Sequence, residues 1–220
     1  MSLPAPAVYP LGEGGWTVAL GERVDAALHE RVLALAAAIA RAELRFVEEI
    51  VPAYASLSVF FDPRRADAEQ IRERLAALAA EPLPTLRPSD LPTARLITIP
   101  VRYDGPDLEE VAARTGLTRA EVIHRHTSRD YRVYLLGFAP GFGYLGDLDP
   151  SLVLPRRREP RTRVAAGSVA IAGAQTAVYP LATPGGWHLL GSTALSMFDP
   201  GRDPPALLRP GDRVRFEALE

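Results

Sequence analysis

The sequence predicts an α+β protein in two parts, a small ferredoxin-like domain over 1–88 and a loop-rich β-barrel or sandwich over 89–220. Three observations predict it: the placement of the prolines, two apolar stripes of helical period in the first third, and short apolar runs at turn spacing in the last. Between Leu11 and Glu81 there are only Pro52 and Pro63; Pro82, Pro84, Pro88, Pro92, Pro100 and Pro106 then crowd together, and ten more stand from Pro140 onward. Proline is excluded from helix interiors and central strands, so the first third is read as helix-containing and the last as loop-rich β structure. The segment EPLPTLRPSDLP (81–92) reads as an extended linker.

The elements follow in order. Trp16–Leu20 is a short strand. Val24, Leu28, Val32, Leu35 and Ile39 recur at spacings of four, four, three and four, the stripe of an amphipathic helix. Leu44–Val51 and Ser56–Phe61 read as strands, the second alternating through Leu57, Val59 and Phe61. Ala68, Ile71, Leu75 and Leu78 make a second helical stripe. This βαββα rhythm is that of two helices on one face of a small antiparallel sheet. Arg95–Tyr103 is a further strand, able to close that sheet or to open the next domain. Residues 107–127 read as two helices: Asp107 suits an N-cap, Gly116 a C-terminal stop, and Thr118 with Glu121 a capping box. The runs Arg132–Gly137, Ser168–Ile171, Ala177–Tyr179, His188–Leu190, Ala194–Phe198 and Arg213–Glu217 are read as β-strands with Gly and Pro in every gap.

Composition removes several chemistries. The 220 residues hold no cysteine, so disulfides, thiol nucleophiles and Cys-ligated metals are excluded. Every one of the 25 basic residues is arginine, which excludes a Walker A loop, a Schiff-base lysine and a Ser–Lys dyad. The four histidines show no metal-ligand spacing, and there is no G-x-S-x-G elbow. A formal charge of −2 argues against a dedicated nucleic-acid binder, although Ala112, Gly116 and Val122 stand at helix-turn-helix spacing and the second helix of 108–126 carries Arg119, His124, Arg125 and His126, able to meet phosphates. No run reaches the roughly 18 apolar residues of a membrane span, and MSLPAPAVYP lacks the features of a secretory signal. A soluble, cytoplasmic protein is expected.

Charge is spread unevenly, with 9 arginines against 13 acidic residues up to residue 90 and 16 against 14 beyond it. The basic excess gathers in RRREPRTR (156–163). This is either a solvated loop or, because two Pro-Arg pairs stiffen the backbone, a place where Arg156 and Arg161 meet a carboxylate or phosphate. GFAPGFGYLG (137–146) combines four glycines with three aromatics. It is either an irregular loop with exposed rings or a tight one whose Phe138 and Phe142 fill the barrel end. TPGGWH (183–188) has the same character, with Trp187 either core or platform.

The strings HTSRDYRVYLLGFAPGFGYLG, PRRREPRTRVAAGSVAIAGAQTAVYP, TPGGWHLLGST and RPGDRVRF, with VPAYASLSVFFDP earlier, closely resemble the PxpB/KipI family of 5-oxoprolinase B subunits, which includes the KipI kinase inhibitor and is also labelled allophanate hydrolase small subunit. The resemblance implies a cyclophilin-like barrel in the second half and assembly with two further 5-oxoprolinase subunits, the A subunit of the complex and its KipA-like C subunit. It further implies ATP-driven conversion of 5-oxo-L-proline to L-glutamate, with ATP at a site shared with or supplied by a partner. Lactam opening needs the amide oxygen activated, as by phosphorylation, which calls for positive groups on phosphoryl oxygens and a proton carrier. Arg156 and Arg161 are expected in the first role, and His126 or His188 in the second. Gly137, Phe138, Pro140, Gly141, Phe142, Gln175, Tyr179, Gly185, Gly186 and Trp187 are expected to form the substrate surface, with no metal. The family's other branches imply two alternatives. One is inhibition of a sensor histidine kinase through exposed Phe138, Phe142 and Trp187; the other is a supporting role in allophanate hydrolysis during urea breakdown. The family's Gly-Arg-Thr reads Gly191-Ser192-Thr193 here, so that any site role of that arginine is either lost or moved to a neighbour such as Arg202.

Overall fold

The structure, a computed structural model, describes residues 6–81 and 95–219. The chain divides into two compact units, Met1–Pro92 and Thr93–Glu220. The expected boundary at 88/89 and all of the expected linker but Glu81 lie outside the described residues.

The first unit runs β1 (Ala7–Pro10), β2 (Gly15–Ala19), α1 (Ala26–Arg41), β3 (Val47–Pro52), β4 (Ser56–Phe61) and α2 (Ala68–Ala80). Its sheet has the order β1-β2-β4-β3, antiparallel throughout. Because β4 lies between β2 and β3, this is the split βαβ arrangement of a ferredoxin-like fold, with β1 on the outer edge beside β2. Both helices are capped by aspartate: Asp25 accepts from Leu28 N–H, and Asp67 from Glu69 and Gln70 N–H. The two stripes bury Leu28, Val32, Leu35 and Ile39 of α1 and Ile71, Leu75 and Leu78 of α2 against Leu57, Val59 and Phe61 of β4. Val24 is exposed, since it precedes the Asp25 cap and so lies outside the helix. The expected strand from Leu44 begins only at Val47, because Phe46 turns the chain through the left-handed region (φ 68°). β1 was not expected; its Tyr9 and Pro10 are exposed, so burial leaves little trace in its sequence.

In the second unit β5 (Leu96–Val101) pairs in parallel with β13 (Arg213–Ala218), so it opens this unit rather than closing the first sheet. Between them come α3 (Leu108–Thr115), α4 (Arg119–Thr127), β6 (Asp130–Leu136), β7 (Gly143–Gly146), a 3-10 turn at Pro150–Leu152, β8 (Arg161–Val164), β9 (Ser168–Ala172), β10 (Gln175–Val178), β11 (Thr183–Gly185) and β12 (His188–Ser192). Seven strands form one sheet in the order β12-β9-β10-β7-β6-β13-β5. Its edges meet where Arg102 and Ser192 exchange two backbone hydrogen bonds of 2.8 Å, which nearly closes the sheet into a barrel. β8 and β11 form a separate ribbon.

Both faces of β9 are buried, and they serve different cores. Val169 and Ile171 join Ile99, Val133, Leu145, Val214 and Phe216, a core that also takes Val111 of α3 and Val122 of α4. Ala170 and Ala172 face the other way, into a smaller core with Phe142, Val164, Tyr179, Trp187 and Leu189. The Thr118–Glu121 capping box is present, and Gly116 ends α3 at φ 69°. Asp107 precedes α3 but makes no side-chain cap; its carboxylate is used elsewhere. Ala194–Phe198 is not a strand, having only an isolated bridge from Phe198 to Ala206. The glycine-rich segment is a loop only as far as Phe142, after which β7 pairs with β6.

Candidate functional site

The smaller core opens into the cleft that carries the candidate site. The β6–β7 turn is held by Gly137 N–H to Phe142 O (3.0 Å) and Phe142 N–H to Ala139 O (3.0 Å). It splits the two phenylalanines: Phe138 has φ 68° and is 61% exposed, whereas Phe142 is 2% exposed. Around Phe142 the rings of Phe138, Tyr144, Tyr179 and Trp187 stand edge to face at centroid distances of 5.2, 5.0, 5.4 and 5.6 Å. Glycine is required at 185, where a Cβ would lie 2.3 Å from the Tyr179 hydroxyl. Burial raises the Tyr179 phenol pKa, offset in part by the Trp187 backbone N–H and by the charge of Arg156.

These rings wall a cleft of about 150 Å³, bordered also by Arg156, Arg157, Pro160 and Gly186. The segment bearing the arginines is tied on both sides of Arg156. His188 Nε2–H donates to Pro155 O (3.0 Å), and Arg157 N–H donates to Gly186 O (2.8 Å). Arg157 Nη1 donates to Asp107 Oδ1 (3.0 Å) and Glu110 Oε2 (3.1 Å), and Arg161 Nη2 to the same Asp107 Oδ1 (2.6 Å). Asp107 Oδ2 accepts from Leu189 N–H (2.7 Å). Burial pushes the Asp107 carboxyl up, but the Arg161 and Leu189 hydrogen bonds and the charges of both arginines outweigh it and hold the pKa below its ordinary value. Arg156 is exposed and has no hydrogen bond or ion pair among the described residues. It also borders a more open cleft of about 490 Å³ with Arg114, Arg158 and Glu159.

Of the expected residues, the fold therefore gathers Phe138, Phe142, Arg156, Tyr179, Gly186 and Trp187 at one cleft. Gly137, Pro140 and Gly141 belong to the adjoining turn, Gly141 packing against Met197 and Phe198. Gln175 begins β10, paired with Ala172, outside the cleft lining. Arg161 faces Asp107 rather than the cleft. His188 is fully buried with Nε2 bonded to backbone and Nδ1 unpartnered. His126 lies in the main core, remote in role from the cleft: Tyr103 O–H donates to its Nδ1 (2.7 Å) and its Nε2–H to Thr176 Oγ1 (2.9 Å), which itself donates to Ala170 O. Burial lowers the His126 pKa to about 3, so it stays neutral and does not suit a proton carrier at neutral pH. Arg202 is occupied by the carbonyls of Pro204 and Pro205, and Ser192 Oγ donates to Asp104, so Arg202 does not stand in for an arginine at 192.

The sequence reading missed Tyr144, Arg157 and Pro160 in the lining and Asp107 behind it. Pro160 and Arg157 lay within the singled-out basic run and Tyr144 within the aromatic one; Asp107 looked like an ordinary helix cap. Among the described residues no group of His, Asp and Glu could hold a metal ion, and no helix is long and apolar enough to cross a membrane.

The family model for the carboxyltransferase domain, subdomain C and D, matches residues 6–208. The 5-oxoprolinase B subunit of Escherichia coli O157:H7 is 46% identical over 211 residues, covering 94% of this chain and 94% of its own length. The chain belongs to the family of 5-oxoprolinase B subunits. The Bacillus subtilis (strain 168) member of that family is 41% identical over 226 residues, 95% of this chain and 91% of that protein. Among solved structures, TTHA0988 superposes with a TM-score of 0.82 at 47% identity over 94% of this chain. The chain spans only 40% of the TTHA0988 chain. The family's name is that of one component in a multi-subunit enzyme, and the Arg156 cleft lies in the segments through which this chain resembles its members.

Proposed function

We propose that the chain is the B subunit of an ATP-dependent 5-oxoprolinase, working with the A and C subunits of the complex to convert 5-oxo-L-proline to L-glutamate. The observation that carries this reading is the unpartnered Arg156 guanidinium beside an aromatic-walled cleft of about 150 Å³. That volume suits a small ring acid, and the two features match its two ends. The guanidinium fork donates charge-assisted hydrogen bonds to the carboxylate, and the flat lactam ring lies against Tyr179 and Trp187. Phe138, held in a left-handed conformation at the mouth, limits the access of water; strain of about 1–3 kcal/mol of this kind is characteristic of functional loops.

ATP, when bound, supplies activation of the lactam oxygen. In this chain Arg158 is the cation at the open cleft that suits phosphoryl oxygens, and the rest of that site is expected from a partner. His188 holds Pro155 and thereby the Arg156 loop. With His126 held neutral, the proton carrier for lactam opening is His188 or a group of a partner.

The alternatives find less support. A kinase-binding face needs Phe138, Phe142 and Trp187 exposed together, but Phe142 and Trp187 are 2% and 5% exposed. The urea-breakdown alternative has no Ser–Lys apparatus in this chain. The deciding experiment is ATP-dependent glutamate formation from 5-oxoproline by the purified A and C subunits with this chain present or omitted. Activity only in its presence is expected; activity independent of it overturns the reading.

A further inference from the structure

We infer that Asp107 is a positioning residue that sets the anion preference of the small cleft: by occupying Arg157 and Arg161 it leaves Arg156 as the single free guanidinium there, so that a singly charged carboxylate is taken and multiply charged oxyanions are not. This rests on the reading that the cleft takes 5-oxoproline.

Arg156, Arg157 and Arg161 come from one six-residue stretch, and without a counter-charge they would form a site for a dianion such as phosphate. Asp107 prevents this from a position 3% exposed, fixed at both its ends. Its backbone N–H donates to Leu189 O (3.1 Å) while its Oδ2 accepts from Leu189 N–H (2.7 Å), a reciprocal pair that locks it to β12. Its Oδ1 is thereby aimed at Arg157 and Arg161, whose side chains are about three-quarters buried, at 26% and 25% exposed. Charge pairs withdrawn from water in this way are screened less than surface pairs, so each guanidinium is held to the carboxylate. Glu110 shares Arg157 from the solvent side and is itself 45% exposed. The result is a graded arrangement: Arg161 is held by Asp107, Arg157 by Asp107 and Glu110, and Arg156 by neither.

The test compares 5-oxo-L-proline with inorganic phosphate by isothermal titration on the full-length chain, its Asp107→Asn variant and its Glu110→Gln variant. The parent is expected to bind 5-oxoproline and to bind phosphate at least about tenfold more weakly, a difference of one charge-assisted contact. Asp107→Asn is expected to tighten phosphate by about tenfold or more with a smaller change for 5-oxoproline, and Glu110→Gln to shift preference in the same direction by less. A purely architectural aspartate would weaken both ligands together and would never improve phosphate. Phosphate binding that is unchanged or weaker in a folded Asp107→Asn overturns the inference. Should that variant fail to fold, Glu110→Gln decides, because it removes an exposed partner of the same arginine: no gain in phosphate binding there overturns it. Failure of the parent to bind 5-oxoproline instead removes the substrate reading, while the phosphate comparison among the three proteins still decides the role of Asp107.

Discussion

Between pH 7 and pH 5, acid should weaken the barrel through His126. It is fully buried, stacked on Phe216 with ring centroids 4.5 Å apart, and satisfied at both nitrogens in its neutral form. Burial moves its pKa from the ordinary 6.5 to about 3. The folded value lies below the unfolded one, so the unfolded chain takes up the proton first as pH falls. The stability is therefore whole above the unfolded pKa, declines from there downward, and stops declining only below the folded value. Between pH 7 and pH 5 the loss from this one group is about 2 kcal/mol, and its limit near pH 3 is about 5 kcal/mol. The assay is urea unfolding of the full chain across that pH range, in a Trp16→Phe background so that Trp187 fluorescence reports the second unit alone. His126→Gln should be less stable at pH 7, having lost the ring stack, yet should show a pH dependence shallower by about 2 kcal/mol over the same two units. Equal slopes in the two proteins would refute the reasoning, and so would an increase in stability on acidification attributable to residue 126.

Arg156→Ala in the reconstituted complex should raise KM for 5-oxoproline by about 10- to 100-fold, the worth of a charge-assisted hydrogen bond of about 1.5–3 kcal/mol, while kcat changes little; a kcat-only effect would count against the carboxylate contact. Gly185→Ala should cost about 1–3 kcal/mol in thermal or urea unfolding, because the new Cβ meets the Tyr179 hydroxyl at 2.3 Å, and a neutral result would mean that β11 is free to move away. Arg161→Ala removes the strongest influence lowering the Asp107 pKa. Since a depressed carboxylate contributes stability that is lost as pH falls through its folded pKa, the variant should begin acid unfolding at a higher pH than the parent; an unmoved acid limb would show that Arg157 and Leu189 hold the carboxylate unaided.

Local pattern and tertiary structure divided the specification of this protein between them. The α1 and α2 stripes, the alternation of β4, the Thr118–Glu121 box and the left-handed Gly116 were all legible, since each depends on residues one to four positions apart, the range over which helix and strand geometry repeats. The glycine–aromatic and Pro-Arg segments were legible as unusual for the same reason. The split between Phe138 and Phe142 was not: within one turn, one ring faces solvent and the other sits at the centre of an aromatic cluster, and only the fold of β7 back onto β6 separates them. β1, β8 and β11 escaped notice because short, partly exposed strands carry little alternation.

The sequence alone determined the cysteine- and lysine-free chemistry, the two-part α+β class and the segments from which the site is drawn. The tertiary structure decided which of the cleft's arginines is free. Asp107 meets Arg157 and Arg161 across 50 and 54 residues of chain, a separation at which no periodicity operates. It does so only because barrel closure brings the segment from Arg102 to Asp107 against β12. Burial of that one carboxylate, withdrawn from water and aimed by Leu189, holds Arg157 and Arg161 out of a run of five arginines and leaves Arg156 available for a ligand at the small cleft.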